Sequence, residues 1–169
     1  MIEIRRETEG DYSEVRLINE LAFDHEGEAN LVEGLRENAS PCISLVAVDG
    51  EKVVGHIFFS PVTVQSENDS FTAIGLAPMA VLPERQNEGI GSLLVRDGLE
   101  ECKREGHSIV VVLGHADYYP RFGFVTAKTK GLSSEYSVPD ENFMVVELTP
   151  DALNGCGGLV LYHSEFRKL

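Results

Sequence analysis

Met79-Ala80-Val81-Leu82-Pro83-Glu84-Arg85-Gln86-Asn87-Glu88-Gly89-Ile90-Gly91-Ser92 is the stretch on which the reading of this chain turns. An apolar run ends at Leu82 and Pro83 breaks it. From Gly89 the apolar residues Ile90, Leu93, Leu94, Leu99 and Cys102 follow helical spacing, and Gly106 is a natural stop. The stretch is therefore a strand end, a short turn and a helix start that carries two glycines. The first N–H groups of a helix have no partner within it. Glycines without side chains let an anion approach those groups, and the helix dipole favours the negative charge. The residues predict a phosphate-type anion site. Two better-known phosphate motifs are excluded: no Gly-Lys-Ser/Thr tripeptide occurs, and the dinucleotide fingerprint needs a third glycine where Leu94 stands.

Working outward, Ile109-Val110-Val111-Val112-Leu113 follows the helix at once. It reads as a buried strand parallel to the one before the helix. Upstream, Ile43 to Val48 and Val53 to Phe59 flank Asp49-Gly50, a hairpin signal because this pair tolerates positive φ. The second strand is expected to bend near Pro61, and a polar loop from Gln65 to Ser70 separates it from the run Phe71 to Leu82. Antiparallel strands that feed a strand–helix–strand unit predict a mixed sheet. Ile2 and Ile4 mark a first strand, and Asp11 with Glu14 resembles a capping box opening a helix along Val15, Ile18 and Ala22. A second helix is expected after Glu28 from Leu31, Val32 and Leu35, with the acidic loop Asp24 to Glu28 between the two. Downstream, a short helical piece from Ala116 to Arg121 ends at Gly123. Residues 128–142 read as a mobile loop, Phe143 to Leu148 as a strand, and Leu159 to Tyr162 as a late edge strand.

Composition sets the outer bounds. With 169 residues, 43% of them hydrophobic, the chain fits one domain with a real core. Lysine and arginine number 14 against 28 acidic residues, so the net charge of −14 disfavours nucleic acid and anionic membranes as partners. A backbone anion site needs no broad basic patch and is compatible with that charge; Arg85 is expected to help at its entrance. The cysteines Cys42, Cys102 and Cys156 are odd in number and form no Cys-x-x-Cys pair. That predicts neither a disulfide framework nor a zinc site. No signal-like start or long apolar run is visible, and the expectation is a cytoplasmic protein.

Gln86-Asn87-Glu88-Gly89-Ile90-Gly91 matches Gln/Arg-x-x-Gly-x-Gly/Ala, the cofactor motif of the GCN5-related N-acetyltransferases, and Tyr119-Pro120-Arg121-Phe122-Gly123-Phe124 matches that family's Tyr-x-x-x-Gly-Phe. The chain resembles this family in element order from residue 1 to about 150, and its continuation through Gly158 and Tyr162 is similar to a subfamily of predicted prokaryotic acetyltransferases. The resemblance implies an α/β (α+β) fold: a mixed, splayed sheet flanked by helices in a single domain, with residues 1–150 as the acetyltransferase domain and residues 151–169 as an extension packed on it. It implies acetyl-coenzyme A as co-substrate, no metal, and a primary amine of unknown identity as acceptor. By position, the backbone of Met79, Ala80 and Val81 pairs with the pantetheine arm, and the Val81 N–H polarises the acetyl carbonyl. The segment Gln86, Asn87, Glu88, Gly89, Ile90, Gly91 and Ser92 holds the pyrophosphate. Tyr119 maps onto the family's general acid, which protonates the departing thiolate.

Each assignment has a structural rival. The two glycines could mark only a loose helix start, and Tyr119 could be a half-buried packing residue. Tyr118 reads as core or substrate contact, and His115 as base, pantetheine contact or loop side chain. The family often carries a glutamate on the strand before the cofactor motif, but Thr72 to Leu82 holds no acidic residue. Water relays, His25, Glu26, His56, Asp117 or a backbone carbonyl remain as bases. His56 and His107 read as structural, and a covalent route through a cysteine is disfavoured because Cys102 falls on an apolar helix face. The missing glutamate keeps a second class open, an acyl-coenzyme A sensor without turnover. Exposed strands leave a homodimer open.

Overall fold

The computed structural model describes residues 1–169. Its axis is a long antiparallel pair, β3 (Lys52–Gln65) and β4 (Ser70–Val81). Around it come β1 (Ile2–Arg6), β2 (Ile43–Asp49), β5 (Ile109–Leu113), β6 (Val125–Thr126), β7 (Leu132–Ser134), β8 (Phe143–Glu147) and β9 (Gly158–Leu161). The sheet runs β1-β2-β3-β4-β5-β8-β6, and only β5 lies parallel to a main-path neighbour, β4. The helices are α1 (Tyr12–Phe23), α2 (Gly27–Asn38) and α3 (Ile90–Arg104). The mixed sheet and the parallel β4–α3–β5 unit agree with the expectation from the sequence.

β3 reads as an unbroken apolar run because helices cover both of its faces. Side chains alternate along a strand, so Gly55, Ile57 and Phe59 face α3, whereas His56 faces α1 through Asn19. The contact with α3 is close. A Cβ placed on Gly98 would lie 2.6 Å from the Phe59 ring, and one on Gly55 would lie 3.1 Å from both Ile90 and Leu94. His56 is fully buried, with Nδ1 3.2 Å from Asn19 Nδ2 and Nε2 2.8 Å from Ser44 Oγ. Burial pushes its pKa down to about 3. The structural reading of His56 stands, and a neutral, enclosed imidazole is withdrawn as a catalytic base.

Four local expectations are corrected or refined. Residues 128–142 are not an open loop: 3-10 turns flank β7, which pairs with β9, and Leu132 is buried. β9 is not an edge strand, since it lies between β3 and β7 and covers a second core around Val64, Val145 and Val160. β3 continues through Pro61 as one strand. That residue falls after β2 ends at Ile43↔Phe59 and before β9 begins at Thr63↔Leu161, where one flank of the strand is unpaired and a missing N–H is tolerated. Asp11 does not cap α1 through its side chain but closes a capping box with Thr8 on the 3-10 turn Glu9–Asp11 just before it. It accepts two hydrogen bonds from Arg5, at 2.7 and 3.0 Å, and one from the Thr8 N–H, while Glu14 accepts from the Val53 N–H. No helix is long and apolar enough to cross a membrane.

Candidate functional site

β4 and β5 pair only over Ile74–Leu76 and Val110–Val112, yet β4 continues to Val81. Beyond Leu76 a register shift bulges β4 against β3, and the far flank of β4 opens on a cleft. The backbone polarity of that flank follows from one bond. The Leu82 N–H donates to Val54 of β3, and successive N–H groups of a strand point to opposite flanks. The N–H groups of Met79 and Val81 therefore face the open side, while that of Ala80 faces β3. The Val81 carbonyl accepts from Gln86 Nε2 at 3.1 Å, so the Gln86 side chain braces the turn and leaves the Val81 N–H free.

The turn delivers the chain to α3 through two residues with positive φ, Asn87 at 67° and Gly89 at 87°. In that geometry the N–H groups of Asn87, Glu88, Gly89, Ile90, Gly91 and Ser92 find no acceptor within the chain. They form the concave donor surface that the sequence led one to expect. The Ile90 side chain is buried in the main core, so this residue offers only its backbone. Gly91 is needed for space: a Cβ there would lie 3.2 Å from the Tyr118 hydroxyl and 3.5 Å from Met79. Ser92 Oγ lies 3.2 Å from that hydroxyl, which ties the helix start to the cleft.

Arg85 is not a free cation at the entrance. It bonds Glu88 at 2.9 Å and Asp49 at 3.0 Å, and its charge is neutralised there. Arg96 and Arg121, which the motif reading passed over, form no ion pair. Each lies 5.1 Å from an aromatic centroid, Arg96 over Phe122 and Arg121 over Tyr118. Only the folding of α3 against the turn at Tyr119–Phe122 brings these two cations together with the Tyr118–Phe122 pair.

The cleft has a volume of about 510 Å³, and its lining includes Met79, Gly114, His115, Tyr118 and Tyr119 together with Phe23, Glu28, Leu31, Phe166 and Leu169. Tyr119 is 8% exposed, packed edge-on against Phe124 and Tyr118. Its ring occupies the space that a side chain on Gly114 would need. Burial raises its pKa to about 12, which keeps the hydroxyl protonated. Of the proposed bases, Glu26 is exposed and faces Arg16, and neither it nor Asp117 lines the cleft. No cysteine lines it. Burial raises the Cys102 thiol to about 12 and the Cys42 thiol to about 11, far from a ready thiolate. Burial shifts the His107 pKa down. Glu28, read from the sequence only as part of an acidic loop, stands in the cleft wall. The signal that finds it is three-dimensional, because it lies 91 residues before Tyr119.

Comparison with known proteins agrees with this geometry. Residues 3–127 match the family model described as an acetyltransferase (GNAT) domain. The chain is 41% identical over 153 residues to the uncharacterized N-acetyltransferase YjhQ of Escherichia coli K12, covering 87% of this chain and 84% of the relative. It superposes with a TM-score of 0.90, at 36% identity, on the crystal structure of E. coli YhbS in complex with CoA, covering 98% of this chain and 92% of that one. A GNAT family acetyltransferase from Brucella melitensis, in complex with acetyl-CoA, gives a TM-score of 0.80 at 35% identity over 98% of both chains. With the family model spanning most of the chain and both halves of the cleft in place, this protein belongs to the GCN5-related N-acetyltransferase family.

Proposed function

We propose that the protein transfers the acetyl group of acetyl-coenzyme A directly to a primary amine. The observation that carries this is the continuity of free donors: the outward N–H groups of Met79 and Val81 on β4 run into the six unpaired N–H groups from Asn87 to Ser92. A pantetheine arm has amides that pair with a strand edge, and a pyrophosphate suits a helix start. Arg96 and Arg121 supply the charge that Arg85 has given up. The relatives from E. coli and Brucella carry CoA and acetyl-CoA, which supports the same ligand here.

The chemistry needs three things from the chain. The Val81 N–H faces the thioester carbonyl and holds the oxyanion that forms as the amine nitrogen attacks the carbonyl carbon. As the C–N bond forms and the C–S bond breaks, the thiolate takes the Tyr119 hydroxyl proton. The proton displaced from nitrogen leaves to solvent, and Tyr119 is reprotonated from it, so the net products are the amide, free coenzyme A and one proton when the acceptor enters as an ammonium ion. The cleft walls exclude bulk water, which protects the thioester from hydrolysis.

The test is release of free thiol on mixing the protein, acetyl-coenzyme A and a panel of primary amines. Amine-dependent release above the background without acceptor supports transfer. Binding of acetyl-coenzyme A with no release for any amine contradicts it.

A further inference from the structure

We propose that the acceptor is a primary amine carried on a compact apolar body, and that Glu28 is the residue that binds its ammonium group; this rests on the acetyltransferase reading above. Among the residues lining the Tyr119 cleft Glu28 is the sole acidic side chain, and none is lysine or arginine. Its Oε1 is enclosed and accepts no hydrogen bond, while the side chain as a whole keeps 19% of its surface exposed. The nearest charge-capable neighbour is His25, with Nε2 3.2 Å from that oxygen. The His25 Nδ1 accepts the Gly27 N–H, which leaves the ring proton on Nε2, facing the carboxylate without completing a hydrogen bond. With no lysine or arginine partner, the exposed part of the carboxylate is open to a cationic ligand. An ammonium group supplies both the charge and the donors it lacks.

The remaining walls call for hydrocarbon. Phe23, Leu31, Phe166 and Leu169 line the cleft together with Tyr119. Past Phe166 and Leu169 the space borders a second cavity of about 440 Å³ that adds Arg167 and the Tyr136 and Tyr162 rings, 5.6 Å apart. A polyamine entering here would desolvate further charges beside apolar side chains, and the carboxylate of an amino acid would meet Glu28 with no lysine or arginine in the Tyr119 cleft to answer it, Arg167 lying only in the second cavity. An ammonium on an aromatic or aliphatic body fits both halves of the site. The net charge of −14 steers such a cation towards the protein.

The experiment measures transfer from acetyl-coenzyme A to phenethylamine, hexylamine, spermidine and glycine by thiol release, in wild type and in Glu28→Gln, with the acetyl-coenzyme A Kd of both determined by calorimetry. The two apolar amines are expected to have kcat/KM values roughly 10-fold or more above those of spermidine and glycine. Glu28→Gln is expected to raise their KM roughly 10-fold or more while leaving the acetyl-coenzyme A Kd unchanged, as befits loss of a charged hydrogen bond to the acceptor alone. Preference for spermidine or glycine, transfer to none of the four, or an amine KM indifferent to Glu28→Gln overturns the proposal while leaving the coenzyme site standing. So does preference for hexanoyl- over acetyl-coenzyme A with no dependence on the amine's body, because the second cavity then holds the acyl chain. Failure of the folded wild type to bind acetyl-coenzyme A overturns both this proposal and the function it rests on.

Discussion

At the scale of single residues, Tyr119 and His56 show one force used in two ways. Burial penalises the charged form of each, holding Tyr119 as a phenol with a pKa of about 12 and His56 as a neutral imidazole with a pKa of about 3. Only Tyr119 faces the cleft, so only it can give its proton to a leaving group. Tyr119→Phe keeps the ring packing against Phe124 and Gly114 and removes the hydroxyl; kcat is expected to fall roughly 10²-fold while the acetyl-coenzyme A Kd stays within about twofold, a split that steady-state kinetics and calorimetry read separately. An unchanged kcat removes Tyr119 from the mechanism. The raised pKa has a second consequence. Ionisation of Tyr119 contributes no loss of kcat between pH 8 and 10, and a wild-type alkaline limb in that range that Tyr119→Phe abolishes would contradict the assignment.

At the scale of elements, α3 does two jobs with opposite requirements. Its first turn must leave N–H groups free, and its body must press on β3. Ser92 is the third residue of the helix, where a carboxylate is favourable to the dipole. Ser92→Asp should therefore leave thermal stability equal or slightly higher, yet weaken acetyl-coenzyme A binding roughly 10-fold or more, because it places a negative charge at the pyrophosphate site. Gly89 is a poorer place for that test, since its φ of 87° strains any side chain. Further along, Gly98→Val drives a branched side chain into the Phe59 ring and should cost about 1–3 kcal/mol in denaturant unfolding. The elements that build the coenzyme half of the site were legible in the sequence because their signals are local: glycines after a proline-broken strand, helical spacing from Ile90 to Cys102, and the five-residue run from Ile109. What escaped depends on contacts distant in sequence. β7 has only three residues and forms a strand only because β9 lies beside it, and β3 crosses Pro61 only because its neighbours leave that flank unpaired. Glu28 belongs to the site only because α2 packs beside the Phe166 segment, and Arg85 loses its charge to Asp49 and Glu88.

At the scale of the molecule, the fold should be sensitive to acid in two steps. His56 has a depressed folded pKa, so below its ordinary value of 6.5 the unfolded chain takes up a proton that the fold refuses, and stability falls until about pH 3. The Arg5 hydrogen bonds lower Asp11 from 3.8 to about 2, so its contribution is present above pH 4 and lost as the pH falls towards 2. That second step amounts to about 1–2 kcal/mol. Thermal midpoints recorded from pH 8 to 3 should start to decline near pH 6.5 and steepen below pH 4, and a flat profile would contradict both assignments. The central claim is that a chain of net charge −14 binds an anionic coenzyme through free backbone donors along β4 and the start of α3. The measurement that tests it most directly is calorimetric titration of acetyl-coenzyme A into the wild type and into folded Ser92→Asp. The account predicts saturable one-site binding to the wild type that the variant weakens roughly 10-fold or more; no binding to the wild type, or equal binding to both, would contradict it.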